Sequence, residues 1–422
     1  MCEQYNVIVE QENVTVMSSY TPLQREERGG QSEEELELSF IKQLTEQGYE
    51  YVNITSEAQM ISNLRKEIDR LNGLTLSDSE WKTLFEKHIA SQNLTIEDKT
   101  NIIQRSEVIN IKLDDKSSQN IKLIDKKDIH NNHLQVLNQY VPEGGAKENR
   151  YDVTILVNVP IKEAFNQINR YERDSFWAGT GLYDYVQLFV ISNGTETKYY
   201  SNTTRFAHVA AVNKNAKKKK KTQTQSFEFT SYWADADNVT ILDLRDFTKT
   251  FFAKATLLNI LTKYCVFTVD KNLMVMRPYQ IAATERILLR IKRALDAGGY
   301  IWHTTGSGKT LTSFKTAQLA GGLPYVDKVL FVVDRQDLDY QTMKEYDNFE
   351  KGCANSNTNS GKLQKQLNDT SKSSKIIITT IQKLASLIKN NKEIKCTDKN
   401  VVMIFDECHR SQFGLMHTAI TK

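Results

Sequence analysis

Apolar residues in the amino-terminal part of the chain recur at helical spacing. Within residues 33–48 they fall three or four positions apart after a run of acidic residues, at Leu36, Phe40, Ile41 and Leu44. This spacing predicts a helix with one apolar face, and acidic side chains favour the positive amino end of a helix. A second, more polar helix is predicted near residues 56–72.

Short β-favouring runs begin at about residue 105. The runs VINIKL, NIKLID, HLQVLNQY and RYDVTILVNV alternate apolar and polar positions, which predicts strands, and IKEAFNQINRY is helical again. YVQLFVISNG and TKYYSNTT are predicted to form two strands joined by an Asn-Gly turn, because that pair of residues adopts the backbone conformation of tight hairpins.

The carboxyl-terminal part alternates between apolar β runs and helical segments. After an apolar connector over residues 246–270, the runs YIWHTT, KVLFVVD, KIIITT and VVMIFDE are separated by helices. Such alternation predicts a parallel sheet covered by helices on both faces. We therefore expect an amino-terminal domain over residues 1–260 and an α/β domain over residues 261–422.

The composition is that of an ordinary globular chain. It has 422 residues, 40% of them hydrophobic, and no apolar run approaches the roughly 20 residues that span a bilayer. Five cysteines lie far apart without a C-x-x-C pair, and the first residues lack the features of a signal peptide, so we expect a cytoplasmic protein. The run Lys217–Lys221 fits either a solvated loop or a contact with the DNA backbone. The net charge of the whole chain, +3, does not decide between these two interpretations.

The segment HTTGSGKT, residues 303–310, has the pattern of a phosphate-binding loop. It follows a predicted strand and opens a predicted helix, where backbone N–H groups bind anionic phosphate. Lys309 is expected to reach the β and γ phosphates, and Thr310 to offer its hydroxyl to magnesium. The predicted nucleotide-binding residues here are Thr305, Gly306, Ser307, Gly308, Lys309 and Thr310. The full pattern has a glycine where this chain has His303.

A pair of acidic residues follows the last of the predicted strands. Asp406 and Glu407 end the run VVMIFDE, and the active sites of open α/β sheets lie at the carboxyl ends of strands. Asp406 is suited to hold magnesium, and Glu407 to orient or deprotonate the water that attacks the γ phosphate. A loop and an acid pair in this order predict a nucleoside triphosphate site.

TTGSGKT followed by DECHRSQFG resembles motifs I and II of superfamily 2 helicases and translocases, and in particular the R subunits of type I restriction enzymes. The likeness extends through MRPYQIAATERI, VVDRQDLDYQTMKEY and ITTIQKL, and into the amino-terminal part through RYDVTILVN, IKEAFNQINRY and LFVISNGT. The resemblance implies a mixed α/β nuclease domain of the PD-(D/E)xK type followed by the first RecA-like, parallel-sheet domain of a translocase. It implies ATP and Mg²⁺ as cofactors, double-stranded DNA as substrate, and specificity and modification subunits as partners.

The same resemblance assigns roles to residues around the motor site. Gln280, with Arg277 nearby, would read the adenine edge, and His409 would couple to the γ phosphate. The motifs that face DNA would contain Asp334, Arg335, Thr379, Thr380 and Gln382. Structural alternatives stay open for all of these, such as helix capping by Thr380 or a surface position of Arg335.

The expected nuclease centre has only part of the family's motif. By resemblance, Asp152 is the first acid and a magnesium ligand, while Gln167 and Tyr171 belong to the helix after the catalytic strand, with plain helix packing as the alternative. The family continues into a second strand carrying Glu-x-Lys, whereas here the three residues 158–160 lead directly into IKEAF. Three residues are too few for a strand of about five.

Two acid-x-Lys triplets lie upstream, Glu97-x-Lys99 and Asp125-x-Lys127. Their order along the chain is wrong for the family, and such triplets are frequent by chance in a chain with 25% charged residues. We therefore expect no strand cleavage by this chain.

The chain ends at Lys422, soon after the second motor motif. The family's second RecA-like domain lies beyond that motif, so we expect ATP binding with little hydrolysis. Three functions stay open: the R subunit of a type I restriction system, a translocase without nuclease activity, and a non-enzymatic remnant that binds nucleotide or DNA. Zinc is not expected, because ligand spacing is missing around His88, His130, His133, His208 and His417.

Overall fold

Helices and short strands alternate through the part of the chain that the computed structural model describes. The described residues are 9–11, 14–16, 20–23, 33–106, 108–138, 179–204, 229–293, 298–304, 306–333, 336–352, 360–369, 375–389 and 399–406. Contacts divide the chain into unit 1, Met1–Phe267 with Lys271–Tyr279, and unit 2, Thr268–Asp270 with Gln280–Lys422. The domain boundary at residue 260 stays a prediction.

The helices of unit 1 are α1 (Glu33–Glu46), α2 (Glu57–Asn72), α3 (Asp78–Leu84), α4 (Ile96–Gln104), α5 (Leu244–Thr250) and α6 (Lys254–Lys263). Four of them, α2 to α5, begin after a residue whose side chain caps them. Ser77 and Thr95 each accept a hydrogen bond from the third residue of the helix that follows, whose acidic side chain bonds back to the cap. The helices predicted over residues 33–48 and 56–72 are confirmed as α1 and α2.

Short strand pairs make up the β structure of unit 1. The strands are β1 (Val9–Gln11), β2 (Val14–Val16), β3 (Glu50–Tyr51), β4 (Ile109–Lys112), β5 (Ser118–Ile121), β6 (Gln135–Val136), β7 (Leu188–Ser192), β8 (Thr197–Ser201), β9 (Trp233–Ala234), β10 (Thr240–Ile241), β11 (Cys265–Phe267) and β12 (Leu273–Val275). Strand β3 pairs parallel with β6, and the other pairs are antiparallel hairpins of consecutive strands. Strand β4 confirms the predicted run VINIKL, whereas β5 and β6 each cover only two residues of the runs NIKLID and HLQVLNQY.

The hairpin of β7 and β8 has the predicted Asn-Gly turn. Leu188 pairs with Ser201 and Ser192 with Thr197, so the turn consists of the four residues between the strands. The Asn193 side chain accepts the backbone N–H of Glu196 at 2.7 Å, and Gly194 has a φ of 89°. A positive φ favours glycine, because it has no Cβ to clash with the backbone.

Apolar side chains of unit 1 gather in several clusters. One joins α2 and α3 to β4 and β5 through residues that include Ile68, Leu84, Ile111 and Ile121. A second joins α1 to β6 through Phe40, Leu44 and Val136, among others. A third places Phe189, Ile191 and Tyr200 of the β7–β8 hairpin against Ile54. The hairpin is therefore part of the core of unit 1.

Unit 2 contains a parallel sheet. Its strands are β13 (Lys328–Val333), β14 (Ile376–Thr380) and β15 (Val401–Phe405), in the order β14-β13-β15. Its helices are α7 (Pro278–Arg293), which begins at the end of unit 1, α8 (Lys309–Gly322), α9 (Gln336–Phe349), α10 (Ser360–Asn368) and α11 (Ile381–Lys389).

Helices cover both faces of this sheet. Leu330 and Val332 pack with residues of α10 and α11 on one face. On the other face, the ring centres of Phe331 and Tyr346 of α9 are 5.5 Å apart. The Tyr346 ring also contacts the ring of Phe314 in α8. The predicted parallel sheet with two covered faces is confirmed for three of its four runs.

The fourth predicted run, YIWHTT, is not a strand over its described residues 300–304. Tyr300 and Trp302 are 82% and 88% exposed. Its aromatic composition favours a strand, but strands form only where backbone N–H and C=O groups meet a neighbour, and no described strand pairs with it. The connector over residues 246–270 is a second correction, because it contains helical segments of α5, all of α6 and the strand β11.

Candidate functional site

The predicted phosphate loop turns sharply into helix α8. Ser307 donates its backbone N–H to the carbonyl of Thr304 at 3.3 Å, and Gly306 inside this turn has a φ of 77°. Gly308, at the amino end of α8, has a φ of 76°. The two glycines therefore occupy the positions that need a positive φ, and the first amide groups of α8 have no acceptor within their own helix.

The direction of α8 across the sheet follows from contacts at its carboxyl end. A Cβ at Gly321 would lie 3.8 Å from Ile376 and 3.9 Å from Val329, which are at the amino ends of β14 and β13. Lys375 also donates its Nζ to the carbonyl of Gly321 at 2.7 Å. Since α8 contacts all three strands, its amino end, with Lys309, points toward the carboxyl edge of the sheet.

Asp406 lies at that carboxyl edge. It follows β15 directly, and its backbone N–H donates to the carbonyl of Val332 at 3.0 Å. Val332 pairs with Phe405 on one side, and Val333 pairs with Thr380 on the other. The strand register therefore brings Asp406 and Thr380 to the edge toward which the phosphate loop points.

Gln280 of α7 holds the backbone of the phosphate loop. It is 4% exposed, and its Nε2 donates to the carbonyls of Ser307 at 3.0 Å and Gly308 at 3.3 Å. A Cβ on residue 308 would collide with the end of the Gln280 side chain, and the positive φ of Gly308 favours glycine independently. The sequence assigned Gln280 to the nucleotide but could not reveal this contact, which depends on the folded path of the loop.

His303 makes a second contact with the same loop. Its Nδ1 lies 3.0 Å from the Ser307 hydroxyl, which donates to the Thr304 carbonyl at 2.7 Å. Burial lowers the pKa of the His303 imidazole, and the charge of Lys309 lowers it further. The only sequence signal for this contact was that His303 stands where the phosphate-loop pattern has glycine.

The predicted DNA-facing threonines lie inside unit 2. Thr379 and Thr380 are both fully buried. The Thr380 hydroxyl accepts the backbone N–H of Lys383 at 3.3 Å, so it caps the start of α11, which was the structural alternative. Gln382 is exposed. A role of these residues in contacting DNA stays a prediction.

Several predicted residues lie outside the described part of the chain. In the motor segment these are Thr305, Asp334, Arg335, Glu407 and His409. In the nuclease segment they are Asp152, Gln167 and Tyr171, together with residues 158–160. The run Lys217–Lys221 is also outside it.

The two upstream acid-x-Lys triplets are occupied by structural contacts. Lys99 is 3% exposed and donates its Nζ to the Gly181 carbonyl at 2.8 Å and to Asp184 at 2.9 Å. The buried Asp125 carboxylate accepts the backbone N–H groups of Lys127 and Asp128 and the Lys122 ammonium, each at 3.0 Å. These contacts favour structural roles over a substitute nuclease centre.

The segment that begins at Gly179 is held by a second helix as well. The Glu57 carboxylate, at the start of α2, accepts the backbone N–H of Thr180 at 2.5 Å and its hydroxyl at 2.6 Å. Lys99 of α4 holds the next residue, Gly181. The two contacts therefore fix the backbone of residues 180–181, a few residues before the β7–β8 hairpin.

One group of potential metal ligands was not visible in the sequence. Glu50, Glu67 and His133 each offer an atom within 4.8 Å of the others. The Arg70 Nε already lies 2.8 Å from Glu67, and the two ring nitrogens of His133 face different carboxylates, at 3.1 and 3.6 Å. The group is thus a set of polar contacts between α2, β3 and the residues before β6.

Comparison with known families gives two matches, one in each half of the chain. Residues 30–208 match the type I restriction enzyme R protein N terminus, and residues 279–422 match the SWI2/SNF2 ATPase. An endonuclease subunit of a type I restriction enzyme from Escherichia coli is 42% identical over 304 residues, which are 69% of this chain and 92% of that relative. The chain belongs to the endonuclease subunits of type I restriction enzymes. It is thus a mixed α/β member of a nuclease and ATPase enzyme family.

Other type I endonuclease subunits differ in how much of them the chain covers. A subunit from Staphylococcus aureus is 38% identical over 417 residues, which are 92% of this chain and 41% of that subunit. A relative from Mycoplasma pneumoniae, named as the C-terminal part of such a subunit, is 50% identical over 200 residues, 44% of this chain and 97% of the relative. The chain therefore spans about two fifths of the Staphylococcus subunit. Among its described helices, none is long and apolar enough to cross a membrane.

Proposed function

We propose that unit 2 is the ATP-binding part of a type I restriction motor. In the whole enzyme this motor would translocate double-stranded DNA and lead to cleavage away from the recognition site, together with specificity and modification subunits. The observation that carries the proposal is the direction of α8, whose amino end with Lys309 points toward the sheet edge where Asp406 follows β15. The match to the SWI2/SNF2 ATPase over residues 279–422 supports it.

The residues present fit a nucleotide with a magnesium ion. The amide groups at the start of α8 suit an anionic phosphate, and Lys309 adds a positive charge beside them. The Thr310 hydroxyl and the Asp406 carboxylate are the oxygen ligands that Mg²⁺ prefers. When bound, the ion would neutralise charge on the phosphate oxygens. Glu407 would orient the attacking water and accept its proton, and Gln280 would hold the loop while facing the adenine.

Calorimetric titration of the chain with ATP and Mg²⁺ tests this proposal. We expect binding that Lys309→Ala abolishes and that Asp406→Asn makes insensitive to Mg²⁺. Lys351→Ala, at an exposed lysine elsewhere in unit 2, is the matched control and should bind as the unchanged chain does. Equal affinities of the Lys309→Ala and Lys351→Ala variants would contradict the proposal.

We also propose that this chain binds ATP but does not cut DNA. Asp152 is the only matched acid of the nuclease motif, and the residues 158–160 leave no length for a Glu-x-Lys strand. The occupied side chains of Lys99 and Asp125 support this, because neither is available as a substitute. Supercoiled plasmid incubated with the chain and Mg²⁺ should stay intact. Nicking that disappears in Asp152→Ala would show that the centre works.

A further inference from the structure

His303 occupies the first position of the phosphate-loop pattern, which a glycine usually fills. A glycine there contributes only backbone, whereas the imidazole of His303 reaches across the loop to Ser307. Its Nδ1 and the Ser307 Oγ are 3.0 Å apart, a normal hydrogen-bond distance. The departure from the pattern therefore adds a contact that the usual residue cannot make.

We assign the hydrogen-bond directions from the two contacts of the Ser307 hydroxyl, of which the one to the Thr304 carbonyl, at 2.7 Å, is the shorter. A serine hydroxyl has one proton, which we assign to that shorter contact. On this assignment its oxygen accepts from His303, and the Nδ1 of the imidazole carries the hydrogen. The lowered pKa of His303 keeps the ring neutral at pH 7, which avoids a second positive charge beside Lys309.

Ser307 is thus held from two sides. Gln280 donates to its carbonyl at 3.0 Å, and His303 donates to its hydroxyl. Ser307 lies one residue before Gly308, the N-cap of α8, so we expect its position to influence the direction in which the following amide groups point. A loop fixed before the ligand arrives loses less conformational freedom on binding, which raises affinity.

We infer that His303 is a positioning residue of the nucleotide site, which preorganises the phosphate loop by donating Nδ1–H to Ser307 Oγ. The inference rests on the proposed ATP binding by unit 2. It assigns to His303 a contact with the loop and none with the nucleotide. Its contribution should therefore depend on the Ser307 hydroxyl and on which nitrogen of the side chain carries the donor.

Two variants, His303→Asn and His303→Gln, test which side-chain nitrogen must carry the donor. The amide nitrogen of asparagine reaches about as far from the backbone as Nδ1 of histidine, while that of glutamine reaches as far as Nε2. We expect His303→Ala and His303→Gln to weaken ATP binding about 3- to 10-fold, as the loss of one hydrogen bond would. His303→Asn should restore affinity to within about twofold of the unchanged chain. Calorimetry with ATP and Mg²⁺ measures all three.

A second comparison uses a Ser307→Ala background. Without the hydroxyl, His303→Ala should cause no further loss, because the two substitutions remove the same contact. Equal affinities of the asparagine and glutamine variants, or an undiminished effect of His303→Ala in the Ser307→Ala background, would overturn the inference. A His303→Ala variant that binds ATP normally would overturn it too.

Lys309→Ala, measured alongside, separates this inference from the proposed function. If Lys309→Ala abolishes binding while His303→Ala leaves it unchanged, only the positioning role is wrong. If the unchanged chain does not bind ATP, or Lys309→Ala binds it equally well, both proposals are wrong.

Discussion

Lys99 and Asp184 of unit 1 form an ion pair that is largely buried. Lys99 lies between Gly181 and Asp184, and its Nζ is 5.7 Å from the centre of the Tyr185 ring. Burial raises the pKa of the Asp184 carboxyl even though Lys99 lowers it. Buried ion pairs of this kind are costly to break, because the remaining charge has no water to solvate it.

Lys99→Met should therefore lower the free energy of unfolding of unit 1 by about 3 kcal/mol. The double variant Lys99→Met/Asp184→Leu should recover part of that loss, because it leaves no unpaired charge. Urea unfolding followed by circular dichroism measures both. Lys82→Met, at an exposed lysine of α3, is the control and should change stability by less than about 0.5 kcal/mol. A single Lys99→Met variant as stable as this control would contradict the expectation.

Asp125 should make the stability of unit 1 depend on pH. Burial alone would raise the pKa of its carboxyl, but hydrogen bonds from Asp128, Lys122 and other neighbours lower it to about 2, from 3.8. The unfolded chain then binds the proton more readily, so the stabilisation is present above about pH 4 and is lost as pH falls through about 2.

Asp125→Asn removes this dependence. At pH 6 we expect it to cost about 2 kcal/mol, from 1.36 kcal/mol per unit of pKa. The difference from the unchanged chain should shrink as pH approaches 2. Urea titrations at a series of pH values provide the measurement, and a difference that stays constant from pH 6 to pH 2 would exclude the carboxyl as its source.

Single residues of the candidate site were found from the sequence only where they belong to a local pattern, and their roles stay predictions. Lys309, Thr310 and Asp406 come from short motifs, and the structure places them on elements that meet at one sheet edge. The pairing of Lys99 with Asp184 joins residues 85 positions apart, which no local pattern contains. Long-range polar contacts depend on how elements pack, so the sequence alone could not predict them.

At the scale of elements, the turn of the β7–β8 hairpin contains the Asn-Gly pair that predicted it and a glycine with positive φ. Gly194 has a φ of 89°, and a Cβ placed there would meet no atom within 4 Å. Backbone strain, rather than a clash with neighbours, is thus the reason for glycine. Gly194→Ala should destabilise unit 1 by about 1–2 kcal/mol.

Asparagine provides the matched comparison at this position, because it adopts positive φ more readily than alanine. Gly194→Asn should cost less than half as much as Gly194→Ala. Unfolding free energies of the two variants decide the point. An asparagine variant less stable than the alanine variant would mean that something other than backbone conformation selects glycine.

The element predictions succeeded where the local pattern and the packing agreed. Helices α1 and α2, the hairpin and the three strands β13, β14 and β15 are such cases. The run YIWHTT failed because apolar character does not by itself provide a neighbouring strand. The capping boxes at Ser77 and Thr95 were present in the sequence as S-x-x-E and T-x-x-D, so α3 and α4 could have been predicted.

At the scale of the whole molecule, the two units should respond differently to nucleotide. A ligand stabilises the part of a protein that it binds in the folded state, by about 2.7 kcal/mol at 100 times its dissociation constant. We expect ATP with Mg²⁺ to slow hydrogen exchange in α8 and β13 of unit 2. The hairpin of unit 1 should be unaffected, and Lys309→Ala should abolish the difference. Equal protection of both units would mean that binding is not confined to unit 2.

The contacts of Glu57 with Thr180 and of Lys99 with Gly181 separate the β7–β8 hairpin from the chain that precedes Gly179. They hold the backbone of Thr180 and Gly181 against α2 and α4, just upstream of the hairpin. We therefore expect a change of chain length before Gly179 to leave the pairing of Leu188 with Ser201 unchanged.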